Sequence, residues 1–205
     1  MENDLPGNTV VRLSQYRRLL EKYKYLDKPF IFSHDLARML DVKAVQVRHD
    51  LMLLGISGDR RKGYSVTALI DKISEKIDRP EQNIILVGLG RLGMSLVKYL
   101  KDSNARLDVA VAFDIDPAKI NHSCEGISCS SITNLPDYVK QHDTTIAILA
   151  IPPEDVNDIL PILLDAGIKG ILNYTSEHLA VPDNVFVRNV DMLTFLEEIA
   201  YFTNA

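Results

Sequence analysis

The sequence of 205 residues contains two cysteines, Cys124 and Cys129, and they bound the redox chemistry open to it. A C-x4-C pair with no neighbouring ligand residues matches no common zinc spacing, so no metal site is expected. Both read as ordinary reduced thiols, with a redox-switch pair as the alternative. No apolar run approaches the roughly 18 residues that a bilayer-spanning helix needs. The first residues, MENDLPGNTV, lack the basic start and apolar centre of a secretory signal. A cytoplasmic protein with no membrane segment is therefore expected. Internal repeats and low-complexity tracts are also missing. What remains is ordinary globular material, 46% hydrophobic with a mean hydropathy near zero, long enough for one large domain or two small ones.

The formal net charge of -5 conceals an asymmetry. Residues 1–80 carry 15 Lys and Arg against 11 Asp and Glu, a net of +4, whereas residues 81–205 carry 8 against 17, a net of -9. Such a division suggests that the first part meets something anionic and the second does not.

Within the basic part, TVVRLSQYRRLLEKYKYL places Leu13, Tyr16, Leu20 and Tyr23 at helical spacing. Ser33 precedes HDLARML as a candidate N-cap for a short helix burying Leu36, Met39 and Leu40. A third helix follows in AVQVRHDLMLLG, with Val47, Leu51 and Leu54 on one face and Gly55 at its end. Two short helices joined by a tight turn form a helix-turn-helix, whose second helix is shaped for a DNA major groove. On that helix Gln46, Arg48 and His49 are expected to face outward, where Gln pairs with adenine and Arg with guanine, and Lys43 is placed for phosphate. The segment ISGDRRKGYSV reads as a hairpin wing carrying Arg60, Arg61 and Lys62 at its tip, towards phosphate or the minor groove. Residues 67–82 read as a connecting helix with Leu69, Ile73 and Ile77 on one face, stopping before Pro80.

Beyond residue 80 the pattern becomes β/α alternation. The runs IILVG, LDVAVAFD, TIAILAI and GILNY read as buried strands, with helical patterns between them, which implies a parallel sheet. The first strand leads into VGLGRLG, a G-x-G-x-x-G loop at the head of a helix. Gly88 permits the turn, Gly90 lets backbone approach a pyrophosphate, and Gly93 lets helix pack on strand. The helix N-terminus offers free N–H groups to the phosphates. Asp114 ends the second strand 21 residues after Gly93, where an acid meets the adenosine ribose and disfavours a 2′-phosphate, so NAD is expected over NADP. The expected cofactor contacts are Gly88, Leu89, Gly90, Arg91, Leu92 and Gly93, then Asp114 and Ile115, Ile151 and Pro152, and Asn173 at the end of a later strand. Hydride-transfer chemistry finds little support: His122, His142 and His178 fall in loop-like segments, and no substrate domain follows the sheet. No catalytic residue is assigned. An oxidoreductase fused to a DNA-binding domain, or a regulator of coenzyme A or another nucleotide, are the alternatives.

Together, RLSQYRRLL, QVRHDL, the GY closing the wing, VGLGRLG, FDIDP, AGIKGILNY and NVDML resemble the redox-sensing transcriptional repressors of the Rex family, through nearly the whole chain. The resemblance implies an α/β protein with three parts: a winged helix-turn-helix over 1–80, a Rossmann-like NAD(H)-binding domain over 81–190, and a C-terminal helix over 191–205, exchanged across a homodimer. It further implies repression at double-stranded operator DNA, with NADH releasing the protein and NAD+ permitting binding. Arg18, Tyr99 and Asp191 match the family's switch, in which an arginine–aspartate bridge alternates with a tyrosine–aspartate hydrogen bond. Spacing alone reads the same three as a surface cation, a core aromatic and an N-cap. The chain departs from its relatives at His49, where lysine is common, in a wing with extra cations, and at Met192, where phenylalanine is frequent.

Overall fold

A computed structural model describes residues 5–26, 28–78, 82–102 and 107–203. Contacts divide the chain into two compact units, Met1–Pro80 and Glu81–Ala205.

The first unit is built on α1 (Gly7–Lys24), whose Leu13, Tyr16, Leu20 and Tyr23 form the buried stripe its periodicity calls for. After β1 (Phe30–Ile31) come α2 (Ser33–Met39) and α3 (Ala44–Leu53), joined by residues 40–43 with Asp41 at φ 52°. This is the expected helix-turn-helix, with two differences in detail. Phe32 occupies the N-cap position of α2 and no side chain caps it, so Ser33 is the first helical residue rather than the cap. Met39 is 47% exposed, and Ala37 takes the buried place beside Leu36.

The wing also differs from a free hairpin. Its return strand β2 (Tyr64–Ser65) pairs antiparallel with β1, while its own two arms share only the bridge Asp59↔Gly63. The tip is folded by Asp59, whose carboxylate accepts the N–H groups of Arg61 at 2.7 Å and Lys62 at 2.8 Å. α4 (Val66–Ile77) is no mere connector. It opens on Ser65, whose hydroxyl accepts the Ala68 N–H, and buries Val66, Leu69 and Ile73 in the same cluster as α1. Each such aliphatic side chain contributes about 1.5–3 kcal/mol by leaving water. The expected stop before Pro80 falls outside the described residues; the helix ends at Ile77.

A charge lies inside this unit. Asp50, on the inner face of α3, is fully buried, and Arg12 of α1 donates to both its oxygens at 2.7 and 2.8 Å. The Tyr16 hydroxyl donates at 2.9 Å and the Gln46 amide at 3.0 Å. Burial pushes the Asp50 carboxyl up, but the hydrogen bonds from Arg12, Tyr16 and Gln46 outweigh it and hold the group below its ordinary 3.8.

In the second unit, β3 (Gln82–Val87), β4 (Leu107–Asp114), β6 (Ile127–Ser131), β7 (Ile146–Leu149), β8 (Gly170–Asn173) and β9 (Phe186–Asn189) form a parallel sheet, extended at one edge by the antiparallel β5 (Ser123–Cys124). The spatial order is β5-β6-β4-β3-β7-β8-β9, so the direction of winding reverses at β3. Alternate strand residues point to opposite faces. Ile85, Val87, Phe113 and Leu149 pack beneath α6 (Leu135–His142) and α7 (Val156–Ala166). Ile84, Leu86, Ala112 and Ile148 pack beneath α5 (Arg91–Asp102). The strands β5, β6 and β9 had no counterpart in the sequence reading, since ISCSS and FVRN are short segments without an extended apolar run. Both cysteines are free, and burial pushes the Cys129 thiol up, which suits the reading as an ordinary reduced thiol.

The last element, α8 (Met192–Thr203), has no buried residue; the last two residues of the expected helix, 204 and 205, lie outside the described residues. Among the described residues no helix is long and apolar enough to cross a membrane.

Replacing Asp50 by Ala removes the acceptor shared by Arg12 and Tyr16, and should destabilise the first unit by about 3 kcal/mol, read by urea denaturation. Because folding lowers the Asp50 pKa, its contribution is complete above about 3.8 and fades as pH falls further. The gap between wild type and Asp50→Ala should therefore narrow in strong acid; a gap that widens there contradicts this assignment.

Candidate functional site

A cavity of about 590 Å³ opens where the winding reverses, between the carboxyl ends of β3 and β7. Its floor is the glycine loop. Gly88 has φ 97°, and a Cβ there would stand 2.4 Å from the Ala150 carbonyl oxygen, so only glycine fits. A Cβ on Gly93 would lie 2.1 Å from the Gly88 carbonyl oxygen, which sets how closely α5 approaches the loop. Gly90 is the opposite case: a Cβ there meets nothing within 4 Å, because that backbone faces the cavity. This is the division of labour expected of a loop that lets main chain reach a pyrophosphate at a helix N-terminus.

Asp114 closes one side. It is 6% exposed, and its Oδ2 accepts the Leu89 N–H at 2.8 Å, so the end of β4 is tied directly to the glycine loop. Its Oδ1 accepts the Asp116 N–H at 2.9 Å, and the Lys119 ammonium stands 3.0 Å from Oδ2. Burial pushes the Asp114 carboxyl up, but the Asp116 N–H, Lys119 and the Leu89 N–H prevail and hold it low. An ionised acceptor therefore faces the cavity at the position expected for a ribose.

Of the expected cofactor residues, Gly88, Gly90, Arg91, Leu92, Asp114, Ile115, Ile151 and Pro152 line this cavity. Leu89 is a core residue that contributes its N–H to Asp114, and Gly93 acts through packing. Asn173 is placed elsewhere. It is fully buried, its amide nitrogen donates to the Glu177 carbonyl and to Asn189 Oδ1, and its oxygen accepts from the N–H and hydroxyl of Thr175. With those donors and lone pairs committed, it braces the end of β8 against β9 instead of facing a ligand. Lys119 and Asp155 line the cavity without having been picked out in the sequence, although Lys119 stands five residues beyond Asp114 in FDIDPAK.

The first unit presents a second candidate surface. Lys43 occupies the N-cap position of α3 and is exposed, as are Arg48 and His49. Gln46 does not stand free as expected: it is half-buried and gives its amide to Asp50. Arg48 lies 3.5 Å from the hydroxyl of Ser33, two residues past β1, and β1 is the strand that pairs with the wing. At the tip Arg60, Arg61 and Lys62 are exposed, and the Lys62 ammonium sits 5.9 Å from the centre of the Phe30 ring. No cluster of three or more His, Cys, Asp or Glu suited to a metal ion is found among the described residues.

The three switch candidates are all exposed. Arg18 projects from α1, and Tyr99 is 70% exposed on α5, so the core reading of Tyr99 fails. Asp191 caps α8, its Oδ1 accepting the N–H groups of Leu193 and Thr194 at 3.0 and 3.2 Å and its Oδ2 the Thr194 hydroxyl at 2.6 Å.

Comparison with known proteins gives the same two-part picture. A family described as "Putative DNA-binding protein N-terminus" matches residues 4–51, and one described as "CoA binding domain" matches residues 79–177. The chain is 31% identical over 202 residues to the redox-sensing transcriptional repressor Rex of Listeria monocytogenes, covering 97% of this chain and 93% of that one. It is 32% identical over 209 residues to the protein of the same name from Oenococcus oeni, covering 99% and 95%. Among solved structures, RSP in complex with β-NAD+ and operator DNA superposes with a TM-score of 0.90 at 27% identity, covering 99% of this chain and 94% of that one. RSP in complex with β-NADH gives 0.86 at the same identity, covering 99% and 96%.

The glycine geometry separates two substitutions. Gly93→Ala should force α5 off the loop and lower the melting temperature by several degrees, roughly 1–3 kcal/mol of overpacking. Gly90→Ala should leave it nearly unchanged. Equal losses in a thermal melt would contradict the placement of these two residues.

Proposed function

The chain belongs to the Rex family of redox-sensing transcriptional repressors, and from that premise we propose that it binds double-stranded operator DNA and is released from it by NADH. The observation that carries this reading is the open Gly90 backbone and ionised Asp114 at the sheet's reversal point, in one chain with a cation-bearing helix-turn-helix. Bound nicotinamide dinucleotide supplies a ring that is cationic when oxidised and neutral when reduced. Gly88 and Gly90, with the N-terminal turn of α5, would hold the pyrophosphate, with Arg91 lining the same cavity as a cation for it. Asp114 would accept from the adenosine ribose. Ile115, Ile151 and Pro152 line the cavity beside them. On the DNA side Lys43, Arg60, Arg61 and Lys62 meet phosphate, and Arg48 and His49 face base edges. The protein binds the dinucleotide without consuming it, and works in the cytoplasm, where both ligands are found.

The chain works as a homodimer through α8. Leu193, Phe195, Leu196, Ile199 and Phe202 are each 53–69% exposed on a single twelve-residue helix, an apolar surface that packing on a second copy would cover. The parts taken are then 1–80 for DNA, 81–190 for the nucleotide and 191–205 for exchange between subunits. Arg18, Tyr99 and Asp191 are assigned as the switch on the strength of their match to the family's pattern, a two-state element of the kind that lets one site bias another. A coupling of about 1–3 kcal/mol corresponds to a change in operator affinity of about five- to 150-fold.

A coenzyme A reading has one observation in its favour, the family match over residues 79–177. Asp114 disfavours a ribose phosphate, and thermal shift with NADH, NADPH and coenzyme A separates the readings. NADH should give the largest shift.

Binding of a Rex-type palindromic duplex, titrated at fixed salt, should fall as the NADH/NAD+ ratio rises. Arg48→Ala should weaken DNA binding at least tenfold and leave NADH binding intact, and Asp114→Ala should do the reverse. Operator occupancy that ignores saturating NADH rules the reading out. In a separate measurement, Leu196→Glu combined with Ile199→Glu should convert a dimer to a monomer by light scattering, with the sheet's circular dichroism retained.

A further inference from the structure

α3 presents two faces that differ in kind. Val47, Asp50 and Leu51 are fully buried, and Gln46 beside them is held on Asp50 by a 3.0 Å hydrogen bond. Facing away are Val45, Arg48, His49 and Met52, at positions i, i+3, i+4 and i+7, which form one continuous stripe on a helix. Val45 and Met52 are each 66% exposed. The outward stripe of this helix is therefore apolar at both ends and cationic in the middle, and its one amide neighbour is already engaged.

In the major groove, adenine is read by a free side-chain amide and guanine by a guanidinium. The base-edge group that suits an aliphatic side chain is the C5 methyl of thymine. Helices of this motif meet base edges through their N-terminal residues, and Val45 is the second residue of α3, next to Lys43 at the phosphate-facing cap position. Gln46 lies with its amide on a buried carboxylate that also binds Arg12 and Tyr16. Drawing it out would leave the fully buried Asp50 short of a donor, which a base contact must outweigh.

Resting on the DNA-binding reading above, we infer that Val45 is a specificity-determining residue that recognises a thymine methyl in each half-site, and that Gln46 takes no part in reading adenine. The cations of the same unit supply the complementary charge for DNA as the occupant of this stripe: Arg48 lies within it, Lys43 stands at the N-cap position of the same helix, and Arg60, Arg61 and Lys62 are exposed on the wing of the same unit.

The test uses the full-length protein and a duplex that it selects itself from a random-sequence pool. Each dT of one half-site is replaced in turn by dU, which removes the methyl and nothing else. With wild type, one position should lose about four-fold in affinity, equal to about 0.8 kcal/mol for one methyl-sized apolar contact. Val45→Ala, a change at an exposed helix position, should lose a similar factor on the dT duplex and no longer distinguish dT from dU there. Gln46→Ala should keep the dT/dU distinction at that position. A wild type indifferent to dU everywhere, a Val45→Ala protein as sensitive as wild type, or a Gln46→Ala protein that loses the distinction would each overturn the inference. Selection that enriches no sequence would overturn it together with the DNA-binding reading, whereas a flat dU scan on an enriched duplex sinks only the role of Val45.

Discussion

The second unit depends on an approach of backbone to backbone that no side chain could tolerate. The carbonyl oxygen of Gly88 occupies the space where residue 93 would carry its Cβ, and Gly88 itself is pressed against the carbonyl of Ala150. These contacts bring α5, β3 and the end of β7 together at the point where the winding of the sheet reverses. The cavity is a consequence of that compression. Because the loop is pulled down tightly, its next glycine is left with its backbone facing open space, and the N–H of Leu89 is aimed at Asp114. One set of steric limits thus creates both the open backbone at Gly90 and the fixed acceptor beside it.

The first unit is organised around a charge. Asp50 is taken out of water, which is unfavourable by several kcal/mol for an unpartnered carboxylate, and four hydrogen bonds from three side chains offset that cost. Two of those side chains are on α1 and one is on α3 itself, so the network fixes the reading helix to the long helix behind it. The arrangement spends an amide that the outward face would otherwise hold.

Much of this was legible beforehand. The stripe Leu13, Tyr16, Leu20 and Tyr23, the paired short helices and the β/α alternation all follow from apolar spacing within a few turns or one strand. The roles of Gly88 and Gly93 were readable because the G-x-G-x-x-G pattern encodes a local turn. Where the reading went astray, the missing information lay far away in the chain. Gln46 looked like an outward amide because its captor Asp50 looks like a surface acid; the partners that make Asp50 a buried one are 34 and 38 residues distant. A carboxylate three residues after Val47 and one before Leu51, on an otherwise apolar face, was the available clue. Asn173 was read as a ligand contact from its place at a strand end, but its amide is claimed by residues that include Asn189, sixteen positions on.

By itself, then, the sequence determined the helices and the four apolar strands, that a glycine turn follows the first of those strands, and that an acid ends the next. These are short-range properties, written in periodicity and in the stereochemistry of single residues. Only the tertiary structure decided which polar groups are used up on one another and which are left to face a partner. That allocation depends on burial and on which side chains meet across elements, and neither quantity exists until the chain has folded.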